Sequence, residues 1–441
     1  MIKIGKILGF TIVLFNINQV SFSQVWSPLG AGVREEKDPT GGIVNTFSED
    51  TVNHLLYVGG EFYYAGDTIS RYLAIWNGTD WNTVEHNGIS INAEVTGSIM
   101  LHDTLVYSNQ HGVGRFYNNH FLDDLPSVAG PVFAFIMYHD TLFAGGDFFG
   151  GIKKYNGKKW EIVGGGVEGN VDDFCIYKDK LIVGGAFAYI GDSLVNNIAS
   201  WDGHQWDFFD GGVIYKEFDN LGQVEALTVY NDMVIAGGFF DQAGDNDANW
   251  VAAWDGQMWH TMPGICGEVE DLQSNGEHGV YAGGWFGTSK KDTCNPNRVA
   301  YWDGSEWLDV GFGVQDPVFS MGFFNRDLYV GGTFLKAGGV KANHVAYLEN
   351  GIATSAPLIK ENKVLKIFPN PSKNYFSISS NTQQPAKLFI TDTYGRTVKT
   401  FMLSPSSKPK VVDVSDFSTG IYLVTLETAE ERWNEKLVVE K

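Results

Sequence analysis

Long apolar runs are nearly absent from this chain of 441 residues. One, from Ile7 to Phe15, stands at the N-terminus, and it is too short to span a bilayer stably. Cysteine is scarce: Cys175, Cys266 and Cys294 are an odd number, and with no C-x-x-C pair a zinc site or redox dithiol has no support. Basic residues are scarce over most of the length. Residues 24–356 carry 17 Lys+Arg against 43 Asp+Glu. A field that negative argues against nucleic acid or an anionic membrane as a partner of this stretch. The ten histidines form no H-E-x-x-H and no spaced pair, and His102 and His139 fall in equivalent turns.

The apolar run has a different use. Lys3 and Lys6 precede it, and Ser21-x-Ser23 supplies small residues before a cut at Gln24, so residues 1–23 read as a secretory signal peptide. The absence of Cys at the cut argues against a lipoprotein anchor. No integral membrane span is expected after cleavage, and the expected address is the cell surface or the medium, reached through the periplasm.

What the chain has in plenty is glycine, 53 residues, and aromatic side chains, 14% of the total. That composition favours short strands joined by tight turns. The first Gly of a Gly-Gly-x-Phe motif falls at Gly59, Gly145, Gly184, Gly237, Gly283 and Gly331. The first interval is twice the usual one, and a degraded copy at Asp103–Asn109 fills it, giving seven copies. Each copy reads as four strands, a to d. Strand c ends in Ala-x-Trp, Asn-Gly or Asp-Gly follows, and strand d carries an aromatic: Trp81, Phe121, Trp160, Trp206, Trp259 or Trp307. Those Asx-Gly pairs predict tight hairpins with positive φ at both central residues. The seventh copy has no strand d of its own. Val25-Trp26-Ser27-Pro28 supplies one from the other end, which closes the ring and leaves no open edge.

The repeat resembles Kelch-like propellers, and more closely the Gly-Gly-x-Phe/Trp-Asp-Gly repeats of the cortical polarity-marker family. The resemblance implies an all-β fold: a seven-bladed β-propeller over residues 24–352, closed by its N-terminal strand. After a linker over 353–364, residues 365–441 change character, with 12 Lys+Arg against 9 Asp+Glu from 357 onward. Pro369-Asn370-Pro371, then Asp392-x-x-Gly395-Arg396, then Gly420-Ile421-Tyr422-Leu423 and a final strand bearing Lys436 read as a small β-sandwich. These motifs resemble the C-terminal sorting domain of the type IX secretion system of the Bacteroidetes. That resemblance implies the secretion machinery as partner, export across the outer membrane, and release or surface attachment.

Candidate sites are few. Gly191-Asp192-Ser193-Leu194 spells an esterase nucleophile motif, but sister repeats hold Gly66-Asp67-Thr68-Ile69 and Gly244-Asp245-Asn246-Asp247 there, so it reads as a repeat loop. Asp241, Asp245, Asp247 and Asn249 offer oxygens in one loop and make a candidate Ca²⁺ site, the one cofactor expectation, although the Gly and distal Glu of an EF-hand are missing. Cys266 and Cys294 lie in loops of the same face and could pair, while Cys175 reads as a buried thiol. The invariant Phe after Gly-Gly-x reads as core. The variable residues around it, Glu61, Tyr63, Asp147, Tyr189, Trp250 and Trp285, form a candidate ligand surface at the b–c loops.

The expected function is binding, of a glycan or a protein, with no catalytic constellation. A polysaccharide hydrolase or lyase using two carboxylates in a concave pocket is the alternative. A purely structural surface protein is the third reading.

Overall fold

A computed structural model describes residues 25–349, except 39, 87–88, 217–221, 277 and 287–297. It also describes 365–439, except 369–371, 374, 381–385, 393–395, 404–409 and 429–431. The signal-peptide segment lies outside these residues. Every regular element among the described residues is a strand, and no helix is long and apolar enough to cross a membrane. The chain divides into two compact units, Ser21–Ala353 and a second containing Thr354–Lys441.

The larger unit holds seven four-stranded antiparallel sheets among the described residues. The fifth shows the plan: Gln223–Tyr230, Met233–Phe239, Val251–Trp254 and Trp259–Thr261, each paired with the next. The first strands of successive sheets touch one another in cyclic order, and the seventh (Val318–Phe324) touches the first (Ile43–Asp50). This is the arrangement of a β-propeller, with first strands around a central axis. Trp26–Pro28 pairs antiparallel with Val345–Leu348 and completes the last sheet, so the closure expected from sequence is present.

The repeated residues have specific jobs. The first strand of every sheet has a β-bulge after a buried valine, for instance between Val224 and Ala226. The paired glycines make room for it. A Cβ on Gly237 would stand 2.6 Å from Cγ1 of Val269, the equivalent valine of the next sheet. A Cβ on Gly238 would run into the carbonyl oxygen of Gln223 beside its own sheet's bulge. The invariant Phe is core throughout: Phe62, Phe148, Phe187, Phe240, Phe286 and Phe334 are all buried.

Tryptophan ties sheet to sheet. The strand-c and strand-d indoles pack together (Trp254 and Trp259, centroids 5.4 Å apart), and the strand-d Nε1 donates to a carbonyl just beyond the preceding sheet. Trp259 bonds Asp210 O at 3.1 Å, Trp307 bonds Met262 O at 3.2 Å, and Trp26 bonds Val310 O at 3.3 Å. The N-terminal tryptophan thus does for the last sheet what the others do for theirs.

The Asx-Gly turns differ from expectation. Trp254 pairs with Trp259, so four residues form the loop, and only Gly256 has positive φ there. Asp255 instead caps the loop, its Oδ1 accepting from the backbone of Gln257 and Met258 at 2.8 and 2.9 Å. Turns with positive φ at both central residues sit between strands a and b, as at Asn231-Asp232 and Lys178-Asp179.

The C-terminal unit is two antiparallel sheets. Leu365–Phe368, Tyr375–Ser380 and Lys410–Asp413 form one. Thr397–Leu403, Ala386–Asp392, Gly420–Glu427 and Arg432–Val439 form the other. Alternate residues of both, among them Phe376, Ile378, Leu388, Val412, Val424 and Leu437, make one buried cluster, as a β-sandwich requires.

Candidate functional site

Second strands end, and first strands begin, on the face that carries the b–c loops. The bulge brings one extra residue per sheet to the axis at this face: Asn45, Thr96, Phe133, Asp172, Glu225, Glu270 and Phe319. Three consecutive sheets therefore supply carboxylates at equivalent positions. They feel one another. Burial first, then the charges of Asp172, Glu270 and Glu268, pushes Glu225 up to about 9. Burial, Glu268 and Asp172 push Glu270 up to about 7. Asp172 reaches only about 6, because Gln223 and Asn170 donate to its oxygens at 2.8 and 2.5 Å and offset its desolvation.

Two further carboxylates act as ties between sheets. Asp173 Oδ2 accepts from the Leu227 amide at 2.7 Å, and Asp271 Oδ2 from the Met321 amide at 2.5 Å, each reaching the first strand of the next sheet. Burial raises Asp173 to about 8 and Asp271 to about 6.

Beside this mouth lies a groove of about 730 Å³ between the third and fourth sheets. Phe133, Asp147, Phe149, Glu168 and Asn170 supply its side chains, and Gly150, Gly165, Gly166 and Gly191 give it open backbone. Asn170 joins groove to axis through its bond to Asp172. Phe149 is 86% exposed and Phe133 37%. A bare aromatic face beside carboxylate and amide acceptors can stack on a sugar ring and accept from its hydroxyls.

Of the six residues expected to form a ligand surface, Asp147 alone lines this groove. Glu61, on the first sheet, is exposed with its carboxyl raised by partial burial and by Glu94 and Glu35. Trp285 and Tyr189 are 50% and 43% exposed. Tyr63 lies under the Arg71 guanidinium, 4.7 Å from ring centre to Cζ, and accepts its hydrogen bond. Trp250 packs with Phe239 and Tyr215, whose rings stack at 4.4 Å.

The four oxygen donors considered for Ca²⁺ are used otherwise or left apart. Lys216 donates from its backbone to Asp241 at 2.9 Å and from Nζ to Asp247 at 2.7 Å. Asp245 and Asn249 are exposed. Among the described residues no three His, Cys, Asp or Glu side chains gather as a metal site needs. The short hairpin in which Gln242–Ala243 pairs with Asn246–Asp247 carries Asp247, and Lys216 supplies the positive charge beside it.

Cys266 is disulfide-bonded, and Cys175 is free and buried. Cys294 lies outside the described residues. So do Pro369, Asn370, Pro371 and Gly395 of the sorting motifs. Of the rest, Asp392 pairs with Tyr422 and Leu423 with Lys436 across the sheet, and Gly420 opens its strand opposite Val439. The buried Tyr422 donates to Ser418 O at 2.9 Å.

Missing from the sequence-based expectations were the bulge residues and Phe149. A signal existed for the former: each follows the one valine that recurs at every repeat start, Val44 through Val318.

Comparison with known proteins bears mainly on the C-terminal unit. The family described as the secretion system C-terminal sorting domain matches residues 366–440. The small sandwich is therefore a type IX sorting domain. No curated protein matches the chain. Among solved structures, the extracellular domain of the putative hybrid two component system BT4673 from B. thetaiotaomicron is similar at TM-score 0.55 and 11% identity, over 81% of this chain and 45% of that one. PorZ, a surface component of the type-IX secretion system of Porphyromonas gingivalis, aligns at TM-score 0.47 and 13% identity over 90% of this chain. The β-propeller domain of the Trilobed protease from Pyrococcus furiosus aligns at 0.41 and 10%, over 70% of this chain and 95% of that one. This chain spans about 59% of the length of PorZ and 45% of that of BT4673.

Proposed function

We propose that this chain is a surface-delivered, seven-bladed propeller of Kelch-like repeats that binds a glycan on its b–c loop face. The sorting domain supports the delivery. The observation that carries the binding is the groove that exposed Phe149 lines together with Asp147, Glu168 and Asn170. A large apolar ring left in water is unusual for a core-forming motif, and its neighbours have the acceptors that sugar hydroxyls need. The groove has no cationic lining residue, so its ligand is a neutral or amine-bearing saccharide rather than an acidic one.

A second reading draws on the mouth. Asp172 and Glu225, raised to about 6 and about 9, would be ionised and protonated at neutral pH, the pairing a polysaccharide hydrolase uses as base and acid. One experiment separates the two. The purified protein is applied to a glycan array, and bound and cleaved glycans are scored for wild type and Phe149→Ala. Binding predicts retention of intact glycans, weakened tenfold or more by Phe149→Ala. Retention of nothing, or equal retention by the variant, sinks the groove; release of fragments establishes the hydrolase.

A further inference from the structure

A second aromatic more than four-fifths exposed on the same face has no role in the packing. Phe312 sits between the last strand of the sixth sheet (Trp307–Asp309) and the first strand of the seventh, 84% exposed, with φ of 65°. The turn recurs. Gly313 N donates to Val310 O as Gly166 N does to Val163 O, Gly212 N to Phe209 O and Gly32 N to Leu29 O, which aligns Phe312 with Gly165, Gly211 and Ala31, none of them a large side chain. Those glycines have φ of 88° and 72°. Left-handed backbone disfavours a bulky side chain, and here no burial offsets the strain. The ring is kept for something outside the fold.

What lies beside it indicates the chemistry. The turn packs on the hairpin Lys336–Ala337 and Val340–Lys341: Gly338 N donates to Gly313 O at 2.8 Å and Gln315 N to Lys336 O at 3.0 Å. In that hairpin Lys336 is directly opposite Lys341. Like charges so placed repel. Both are exposed, and neither ammonium has a hydrogen-bond or ion-pair partner among the described residues. The same register holds Tyr64 with Ile69, Tyr189 with Leu194 and Gln242 with Asp247 in sister hairpins. A lysine pair is thus no requirement of the turn, and it stands in a stretch that is otherwise strongly acidic.

We propose that Phe312, Lys336 and Lys341 form a subsite for an acidic saccharide of the uronic-acid type. The sugar's C–H face stacks on Phe312 and its carboxylate lies between the two ammonium groups, which relieves their repulsion. The subsite is separate from the groove, where Asp147 and Glu168 would repel the same ligand.

The test uses the full secreted chain with oligogalacturonate and its methyl ester, by calorimetry at low and physiological salt. The acid form binds, and the ester binds at least tenfold more weakly. Lys336→Gln with Lys341→Gln weakens binding of the acid tenfold or more and removes most of its salt dependence. Phe312→Gly loses binding to a similar degree while its melting temperature holds or rises, because two sister turns carry glycine there at positive φ. Equal binding of acid and ester, no binding of the acid, or wild-type affinity in Phe312→Gly overturns the proposal. Phe149→Ala leaves this binding unchanged, so failure here and failure of the groove are distinguishable.

Discussion

The second and fifth sheets solve one packing problem with different residues. In the fifth, room between the first two strands and the neighbouring sheet comes from Gly237 on the second strand, opposite Ala226. In the second, Ser108 stands at that position and the glycine has moved across the pair to Gly97, where a Cβ would press on the carbonyl of Phe133. Ser108 Oγ bonds the Val132 carbonyl at 2.9 Å, so the polar side chain is tied to the next sheet. The fifth sheet's paired indoles become Phe116 and Phe121, edge to face at 5.2 Å, with no indole N–H to donate. Its long b–c loop shrinks to Gln110-His111. The ring therefore needs space at one pair, an aromatic pair and a bulge. It does not need the long loops, which frees their departures from the repeat for ligands.

The largest expected effect tests whether the closing strand belongs with the regular sheets. Trp26 is buried and makes the same bond to the preceding sheet as Trp259. Trp26→Ala should cost about 3–5 kcal/mol in denaturant unfolding, and removal of Gln24–Gly30 more. A variant with an unchanged midpoint would mean that the closure contributes nothing.

A reciprocal exchange sharpens the contrast further. Gly237→Ser imposes on the fifth sheet what the second already carries, but with Val269 Cγ1 in the way, and should cost about 1–3 kcal/mol. Ser108→Gly should also destabilise, by about 1 kcal/mol, since it deletes the bond to Val132. If both glycine-bearing forms are the more stable, Ser108 is a defect and not a substitute.

The comparison also accounts for what was legible in sequence. Gly-Gly, Phe and Trp recur because sheet packing admits few alternatives, so the repeat, the closure by Trp26 and the sorting sandwich could all be read. The Asx-Gly turns misled because the carboxyl or amide caps the loop from its side chain, a role that spacing does not separate from a two-residue turn. The axial site was hidden for a different reason. The bulge residues are Asn, Thr, Phe, Asp or Glu, so residue type does not mark them, and only their place after the recurrent valine does. Phe149 and Phe312 were hidden because exposure is set by the neighbours' backbone, and a local string does not reveal it.

The smallest effect concerns the acidic mouth, which the second sheet, with Thr96 at the bulge, does not share. Glu225, Asp173 and Glu270 ionise near 4 in an unfolded chain but near 9, 8 and 7 in the fold. The folded state therefore holds more protons than the unfolded state between those limits. Stability that is fully present below about pH 4 should be lost as pH climbs through 7 to 9. Asp173 must remain a carboxylate or acid to tie Leu227, but no such bond depends on Glu225. Glu225→Gln should match wild type near pH 4.5 and exceed it by on the order of 1 kcal/mol at pH 9, the partial exposure of the group reducing the full value of its shift. Melting curves at pH 5, 7 and 9 would show the gap widening with pH. Parallel curves would mean that water already solvates the mouth carboxylates as it does those of the outer loops.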